Sequence, residues 1–215
     1  MWCRCLLMVL ASTIFCQKGG PMEEVALPQP KTRGEISLEQ CITARRSVRS
    51  YSSEQIELDK LGQLCWAAQG MTDVSRGFRA SPSAGATYPL ELYMVASDGF
   101  FHYSPETHTL VKLDGQDLRP LLAQAALGQA FIEDAPVSFV IAALYERTTR
   151  RYGERGKMYV HMEVGHAAQN IHLQAVALGL SSVPVGAFYE KEVSTLLSLP
   201  DEEIPLYIIP VGYRR

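Results

Sequence analysis

The sequence predicts an α+β domain in which a central, mainly antiparallel sheet is flanked by helices, one of them long. Three stretches carry that expectation. Leu90 to Ala96 reads as a strand, with Phe100 to Tyr103 and Thr109 to Leu113 following closely enough to fold back as hairpin partners. Val137 to Leu144 is apolar apart from Ser138, continuous enough for a central strand buried on both faces. Met158 to Leu178 is helical in period and rich in small residues, with Gly179 as its stop, and is expected as the central helix.

The remaining elements fall around these. Ser37 followed by Gln40 is a capping-box pattern, and Leu38, Cys41 and Ile42 give one apolar helix face that ends near Arg46. Leu58, Leu61, Leu64, Cys65 and Ala68 give a second helix, stopped by Gly70. A further helix is expected over about Leu118 to Leu127. After the central helix come an extended piece through Pro184 and Gly186, a helix near Lys191 to Leu199, and a last strand from Ile204 to Val211. No internal repeat is visible.

A chain of 215 residues with 47% hydrophobic and 20% charged residues has the balance of one domain with a large core. Net charge is -3, and the basic residues are scattered apart from a cluster between Arg147 and Lys157, so no nucleic-acid partner is expected. Residues 1–20 read as a signal peptide or lipoprotein leader: Arg4 precedes the apolar run Leu6 to Phe15, which is too short to span a bilayer of ~30 Å. Cys16 then suggests a lipid anchor, although Phe15 stands where a small residue normally precedes such a cysteine. Export to the periplasm or a membrane-anchored location is expected, with a cytoplasmic protein as the alternative. Residues 21–36, with Pro21, Pro28 and Pro30, read as a flexible linker, and residues 37–215 as the domain. In that domain Cys41 and Cys65 lie on apolar helix faces and are expected as buried free thiols, a disulfide between them staying open for an exported protein.

Candidate chemistry lies in three segments. Arg45, Ser47 and Arg49 alternate at a helix exit, so an extended exit points two guanidiniums and a hydroxyl the same way, a set suited to a phosphate monoester. The alternative is a solvated basic patch capping the preceding helix. Ser81-Pro-Ser-Ala-Gly85 feeds directly into a strand and is either a tight loop or a backbone able to lie flat against a ligand. On the central helix, Gln169 and Asn170 are polar among Ala, Leu and Gly and need partners if buried. Glu163-x-x-His166 is half of a di-iron pattern, but only one copy exists and neither HExxH nor CxxC is present, so no metal is expected.

In this order, Arg45-Arg46-Ser47-Val48-Arg49-Ser50-Tyr51, Ser81 to Tyr93 and Glu163 to Asn170 resemble the nitroreductase family of FMN-dependent oxidoreductases, and within it the SagB-type thiazoline/azoline dehydrogenase subgroup. The resemblance covers roughly residues 37–215 and implies a nitroreductase-like fold and a homodimer with each flavin at the subunit interface. It places Arg45 and Ser47 on the FMN phosphate and ribityl side, with Arg46 as a further phosphate ligand, and Arg49 near flavin N1 and the C2 oxygen. Pro82 and Ser83 would contact the flavin, Gly85 would permit close approach, and Tyr88 would stack on the ring or pack beneath it. Gln169 or Asn170 would face the cofactor or the partner subunit, and Gly186 and Ala187 would offer backbone N–H groups to N5. His166 is expected to be structural. Many relatives continue past the final strand with basic phosphate ligands, a role that Arg214 or Arg215 would take here. Azoline-oxidising relatives carry an adjacent Lys and Tyr for deprotonating substrate; Lys157 and Tyr159 lie in that region, separated by Met158. The implied activity is hydride transfer through flavin N5. It would serve either NAD(P)H-dependent reduction of a small nitro or quinone-like substrate or oxidation of a peptide-derived azoline ring. A catalytically inactive, envelope-associated flavin-binding or ligand-binding protein is the alternative.

Overall fold

The computed structural model describes residues 23–215, and the leader with Cys3, Cys5 and Cys16 lies outside them. Strands β1 (Glu24–Ala26), β2 (Met71–Asp73), β3 (Phe78–Arg79), β4 (Leu90–Ala96), β5 (Gly99–Ser104), β6 (Thr109–Asp114), β7 (Val137–Ala143), β8 (Ser181–Ser182) and β9 (Ile204–Gly212) alternate with seven helices. These are α1 (Leu38–Ala44), α2 (Leu58–Gln69), α3 (Arg119–Ala125), α4 (Phe131–Asp134), α5 (Tyr145–Tyr152), α6 (Arg155–Ala177) and α7 (Glu190–Leu196). Seven strands form one sheet in the order β1-β6-β5-β4-β7-β9-β8, antiparallel at every pairing, and β2 with β3 makes a separate hairpin.

The sheet is covered on both faces because its central strands alternate apolar side chains to each. Leu92, Met94, Phe139, Ile141 and Ile209 join α2 and α6 in one core; Tyr93, Val95, Val140, Ala142 and Ile208 join α3, Ile132 of α4 and α7 in the other. All seven residues of β7 are buried, Ser138 among them, as its nearly continuous apolar run requires. The capping box forms as expected, with Gln40 N–H donating to Ser37 Oγ at 3.2 Å and Ser37 N–H to Gln40 Oε1 at 2.9 Å. Cys41 and Cys65 are buried free thiols.

Two expectations are corrected. Residues 24–31 are not a tether: β1 pairs with β6, Leu27 is buried, and the Gln63 amide exchanges hydrogen bonds with the Lys31 backbone at 2.8 and 3.0 Å. A three-residue strand bounded by prolines has no periodicity of its own, so only its partner reveals it. The central helix begins at Arg155 rather than Met158, directly behind α5, in the stretch whose charge cluster concealed any pattern.

Tyr51 ties the N-terminal part of the domain to the last strand. Its ring is fully buried against Gly212, where a Cβ would stand 2.6 Å from Pro136 Cδ and 3.1 Å from Tyr51 Cδ1. Gly212→Ala therefore forces a rigid proline ring or Tyr51 to move, and is expected to lower stability by about 1–3 kcal/mol, read as a lower urea midpoint at unchanged slope.

Candidate functional site

The segment after α1 is held from both sides. It leaves the helix extended, Ser47 bridges Ser182 in parallel and Tyr51 bridges Arg214 antiparallel. Val48 N–H donates to Ser182 O at 3.2 Å, Ser52 N–H to Tyr213 O at 2.9 Å and Arg215 N–H to Ser50 O at 3.3 Å. Beneath it the Tyr51 hydroxyl lies 2.6 Å from Val48 O and 3.1 Å from Pro210 O. Arg214 and Arg215 are thereby brought beside the Arg45–Arg49 segment, and both are exposed.

The three arginines of this segment do different things. Arg45 is half-buried, and its Nη1 stands 3.0 Å from His172 Nε2; His172 Nδ1 in turn stands 2.5 Å from Ser182 Oγ. Burial, helped by the Arg45 charge, pushes His172 down to about 4, so the ring is neutral at physiological pH. Its Nε2 accepts from the guanidinium and its Nδ1–H donates to Ser182, an assignment set by the network. Arg46, expected as a further phosphate ligand, turns back to donate to Thr43 O at 2.8 Å and Arg45 O at 2.7 Å, so here it caps α1. Arg49 is exposed, its guanidinium 5.8 Å from the Phe131 ring centre. Nearby, Gly186 and Ala187 are exposed, and neither amide N–H has a partner among the described residues. Gln129 of the α3–α4 connection holds Ala187 O at 2.9 Å.

The Ser81–Tyr88 loop runs beside α6. Ser81 is buried, donating to Ala68 O at 2.8 Å and accepting from Asn170 Nδ2 at 3.3 Å. Pro82 is exposed, and Ser83 Oγ accepts the Tyr88 N–H at 2.9 Å. Three residues take positive φ: Gly85 at 62°, Ala86 at 53° and Tyr88 at 43°, the last two at a steric cost that surrounding contacts must offset. Those contacts come from α5. Arg151 donates to Gly85 O at 3.2 Å, Thr148 meets Thr87 at 2.7 Å and Arg147 donates to Tyr88 O at 3.0 Å. Gly85 suits its φ of 62° because it has no Cβ to strain; an added Cβ would also stand 2.6 Å from the Tyr152 hydroxyl and 2.7 Å from Arg151 Nη1, side-chain ends that would have to shift. Tyr88 packs rather than projects: its hydroxyl accepts Arg79 N–H at 3.2 Å and its ring lies 5.0 Å below the Arg79 guanidinium.

At about 100° per residue, α6 divides into faces. Val160, Val164, Ala167, Ala168, Ile171 and Ala175 are buried on the sheet side. Tyr159, Glu163 and Asn170 fall on the loop flank and His172 on the arginine flank. Met158, Met162, Gly165, His166 and Gln169 are exposed between them. Gln169 and His166 thus face outward, whereas Asn170 serves the loop. Lys157 and Tyr159 are not brought together, because two positions on a helix diverge. Lys157 is ion-paired with Glu154 at 2.8 Å, and Tyr159 packs edge-on against Tyr152 at 5.2 Å, so the adjacent Lys and Tyr pair is not formed from them.

Sequence reading singled out Glu163 for the wrong reason and missed His172 altogether. Glu163 is 2% exposed, faces Ser83, and has an Oε1 with no partner; burial pushes it up to about 7. A lone imidazole between Ile171 and Leu173 was the available signal for His172. No group of three or more potential metal ligands occurs among the described residues.

The model of the nitroreductase family matches residues 42–213. The chain belongs to the nitroreductase family. A Methanocaldococcus jannaschii protein assigned as a nitroreductase is 48% identical over 199 residues, covering 90% of this chain and 98% of the relative. The crystal structure of a Ralstonia eutropha protein assigned as a nitroreductase superposes with a TM-score of 0.82 at 26% identity, over 92% of each chain. The NADPH:FMN oxidoreductase of Vibrio harveyi, solved with NAD+, shares the fold with a TM-score of 0.62 at 21% identity, over 82% of this chain and 68% of its own. The α+β architecture is therefore the nitroreductase fold, and the family identifies an oxidoreductase.

Two buried groups of this nitroreductase-family site titrate in opposite senses. Between pH 4.5 and about 7 the folded chain keeps a proton on Glu163 that the unfolded chain has lost, so this contribution to stability falls as pH rises. Between about 4 and 6.5 the unfolded chain holds a proton that His172 in the fold does not, so that contribution rises with pH. The slopes oppose where the windows overlap. Glu163→Gln should uncover the His172 rise, up to about 1.4 kcal/mol per pH unit relative to wild type, in urea unfolding from pH 4.5 to 6.5; parallel profiles for the two proteins would contradict the opposed pair.

Proposed function

We propose that this chain is an FMN-dependent oxidoreductase that reduces a small organic substrate of the nitro or quinone class at the expense of NAD(P)H. The observation that carries this reading is the clamped Arg45–Tyr51 segment. It carries Arg45 and Arg49 on one extended backbone whose far end, at Tyr51, pairs with Arg214, and the Gly186 and Ala187 amides have no partner among the described residues. A flavin mononucleotide needs a cationic, hydrogen-bonding pocket for its phosphate and main-chain donors along its ring edge, and both kinds of donor are present. Bound there, FMN supplies hydride transfer through N5.

The chain's own residues bind and orient. Neutral His172 accepts from Arg45 without adding charge, which leaves the remaining guanidinium N–H groups and the full positive charge for a phosphate. Ser47 adds a hydroxyl and Arg214 a second cation from the chain end. With FMN bound, Arg49 would stabilise negative charge developing on the reduced ring, and the amides of Gly186 and Ala187 would supply main-chain donors to it. Pro82 and Ser83 present a rigid loop to the ring or ribityl chain.

A homodimer completes this reading. Met158 and Met162 on α6 are exposed, as are Leu38 and Ile42 on the α1 helix packed beside it. Such apolar exposure suits a second copy of the chain, which would bring the loop flank of one subunit toward the arginine flank of the other. Because Lys157 and Tyr159 stand apart, nothing at those positions favours SagB-type azoline oxidation over NAD(P)H-dependent reduction.

FMN titration by fluorescence quenching tests the assignment. Arg45→Ala and Arg49→Ala are each expected to weaken binding by roughly 10- to 100-fold, the effect of losing a charge-assisted hydrogen bond. Arg46→Ala is expected to leave it unchanged because that guanidinium is committed to α1. Wild-type protein that binds no FMN would refute the proposal.

A further inference from the structure

The turn whose amides are assigned above to the flavin ring has one polar hold, and it comes from a residue that no motif singled out. Val185 is fixed to β9, its N–H donating to Ile208 O at 2.7 Å and its O accepting the Ile208 N–H at 3.0 Å. Tyr189 is fixed to the end of α3, its N–H donating to Ala125 O at 2.8 Å. Between these anchors the N–H groups of Gly186, Ala187 and Phe188 have no partner among the described residues, and of the three carbonyls only that of Ala187 is engaged, by Gln129 Nε2 at 2.9 Å. The second proton of the same amide goes to Ala126 O at 2.7 Å. Both partners are carbonyl oxygens, so it is the NH2 end of Gln129 that faces them.

The end of α3 brings Gln129 to this place. Leu127 and Gly128 are both left-handed, at φ 62° and 72°, and the Gly128 N–H closes on Ala123 O at 2.9 Å, so the chain doubles back and Gln129 lies beside the turn it has just left. Leu127 takes that backbone at a steric cost while its side chain stays 51% exposed, so its own burial does not account for the turn. Two residues beyond Gln129, the Phe131 ring stands 5.8 Å from the Arg49 guanidinium, and the same connection thus reaches both groups assigned to the ring. With two soft dihedrals per residue, a three-residue span between fixed ends has just enough freedom to close, in a few discrete arrangements. We propose that Gln129 is a positioning residue that selects one of them. By holding Ala187 O it turns the trans Ala187–Phe188 peptide so that the Phe188 N–H points away from Gln129, and it fixes the row of unpartnered N–H groups for the ring. This rests on the flavin reading above and adds to it the side chain on which the ring-edge donors depend.

Backbone NMR relaxation on the ligand-free full chain and on its Gln129→Leu and Gln129→Glu variants reads the hold directly. Wild type should show rigid order parameters of about 0.85 at Ala187 and Phe188, and both variants values below about 0.6 there, with Val185 and Tyr189 unchanged in all three. Glutamate keeps the length of glutamine but, ionised, has no proton for Ala187 O, so Gln129→Glu separates the hydrogen bond from packing. Both variants should bind FMN about 3- to 10-fold more weakly, the effect of one hydrogen bond. The N5 resonance of isotope-labelled FMN should move in both toward its position without a hydrogen-bond donor. Equal order parameters in wild type and both variants overturn the proposal whatever binds. Weaker FMN binding with an unmoved N5 resonance overturns it too, since it marks a structural role alone. Wild type that binds no FMN refutes instead the function proposed above, and the order parameters then decide the hold by themselves.

Discussion

The rotation of α6 about its own axis is the constraint on which the rest of the site depends. Six apolar residues from Val160 to Ala175 are pressed against the sheet, and each large aliphatic among them contributes about 1.5–3 kcal/mol by leaving water. Turning the helix by one position would exchange several of them for His161, Gln169 and His172 in one sense, or for Glu163, His166 and Asn170 in the other. With the rotation fixed, the two flanks are fixed too: Glu163 and Asn170 must meet the loop, and His172 must meet Arg45 and Ser182. The helix is thus both the floor of the core and the ruler along which the polar groups are set.

The loop illustrates how local strain is held by distant sequence. Ala86 and Tyr88 adopt a left-handed backbone that neither residue favours. What keeps them there is α5, whose arginines and threonine reach the loop's carbonyls and hydroxyl. That helix has little reason to form alone, since it is polar almost throughout and owes its position to α6 and the loop. Each of the three elements supplies what the others lack.

What sequence could reveal divides along the same line. The strands β4 and β7 and the capping box of α1 are written in local pattern, and they stand as read. The inward turn of Arg45 and the backward turn of Arg46 are decided by His172 and by the end of α1, facts more than a hundred residues apart for the first and three for the second. Alternation could say that the two arginines differ but not which one faces the protein. Likewise β1 and α5 are defined by their partners, and a Glu-x-x-His spacing on a helix could not say that one member is buried and the other bathed in solvent.

The short strand β1 has a further consequence. Without it, β6 would present six residues of open backbone to any other extended chain. Instead the sheet ends in a three-residue strand that begins with Glu24 next to Glu23, is tied down through Thr109 and Lys112, and is followed after Leu27 by Pro28. At the opposite end β8 is only two residues long and is covered by the Ser47 bridge. Both margins are too short and too encumbered to template another strand, so the fold guards itself against edge-to-edge aggregation with segments that contribute little to its core.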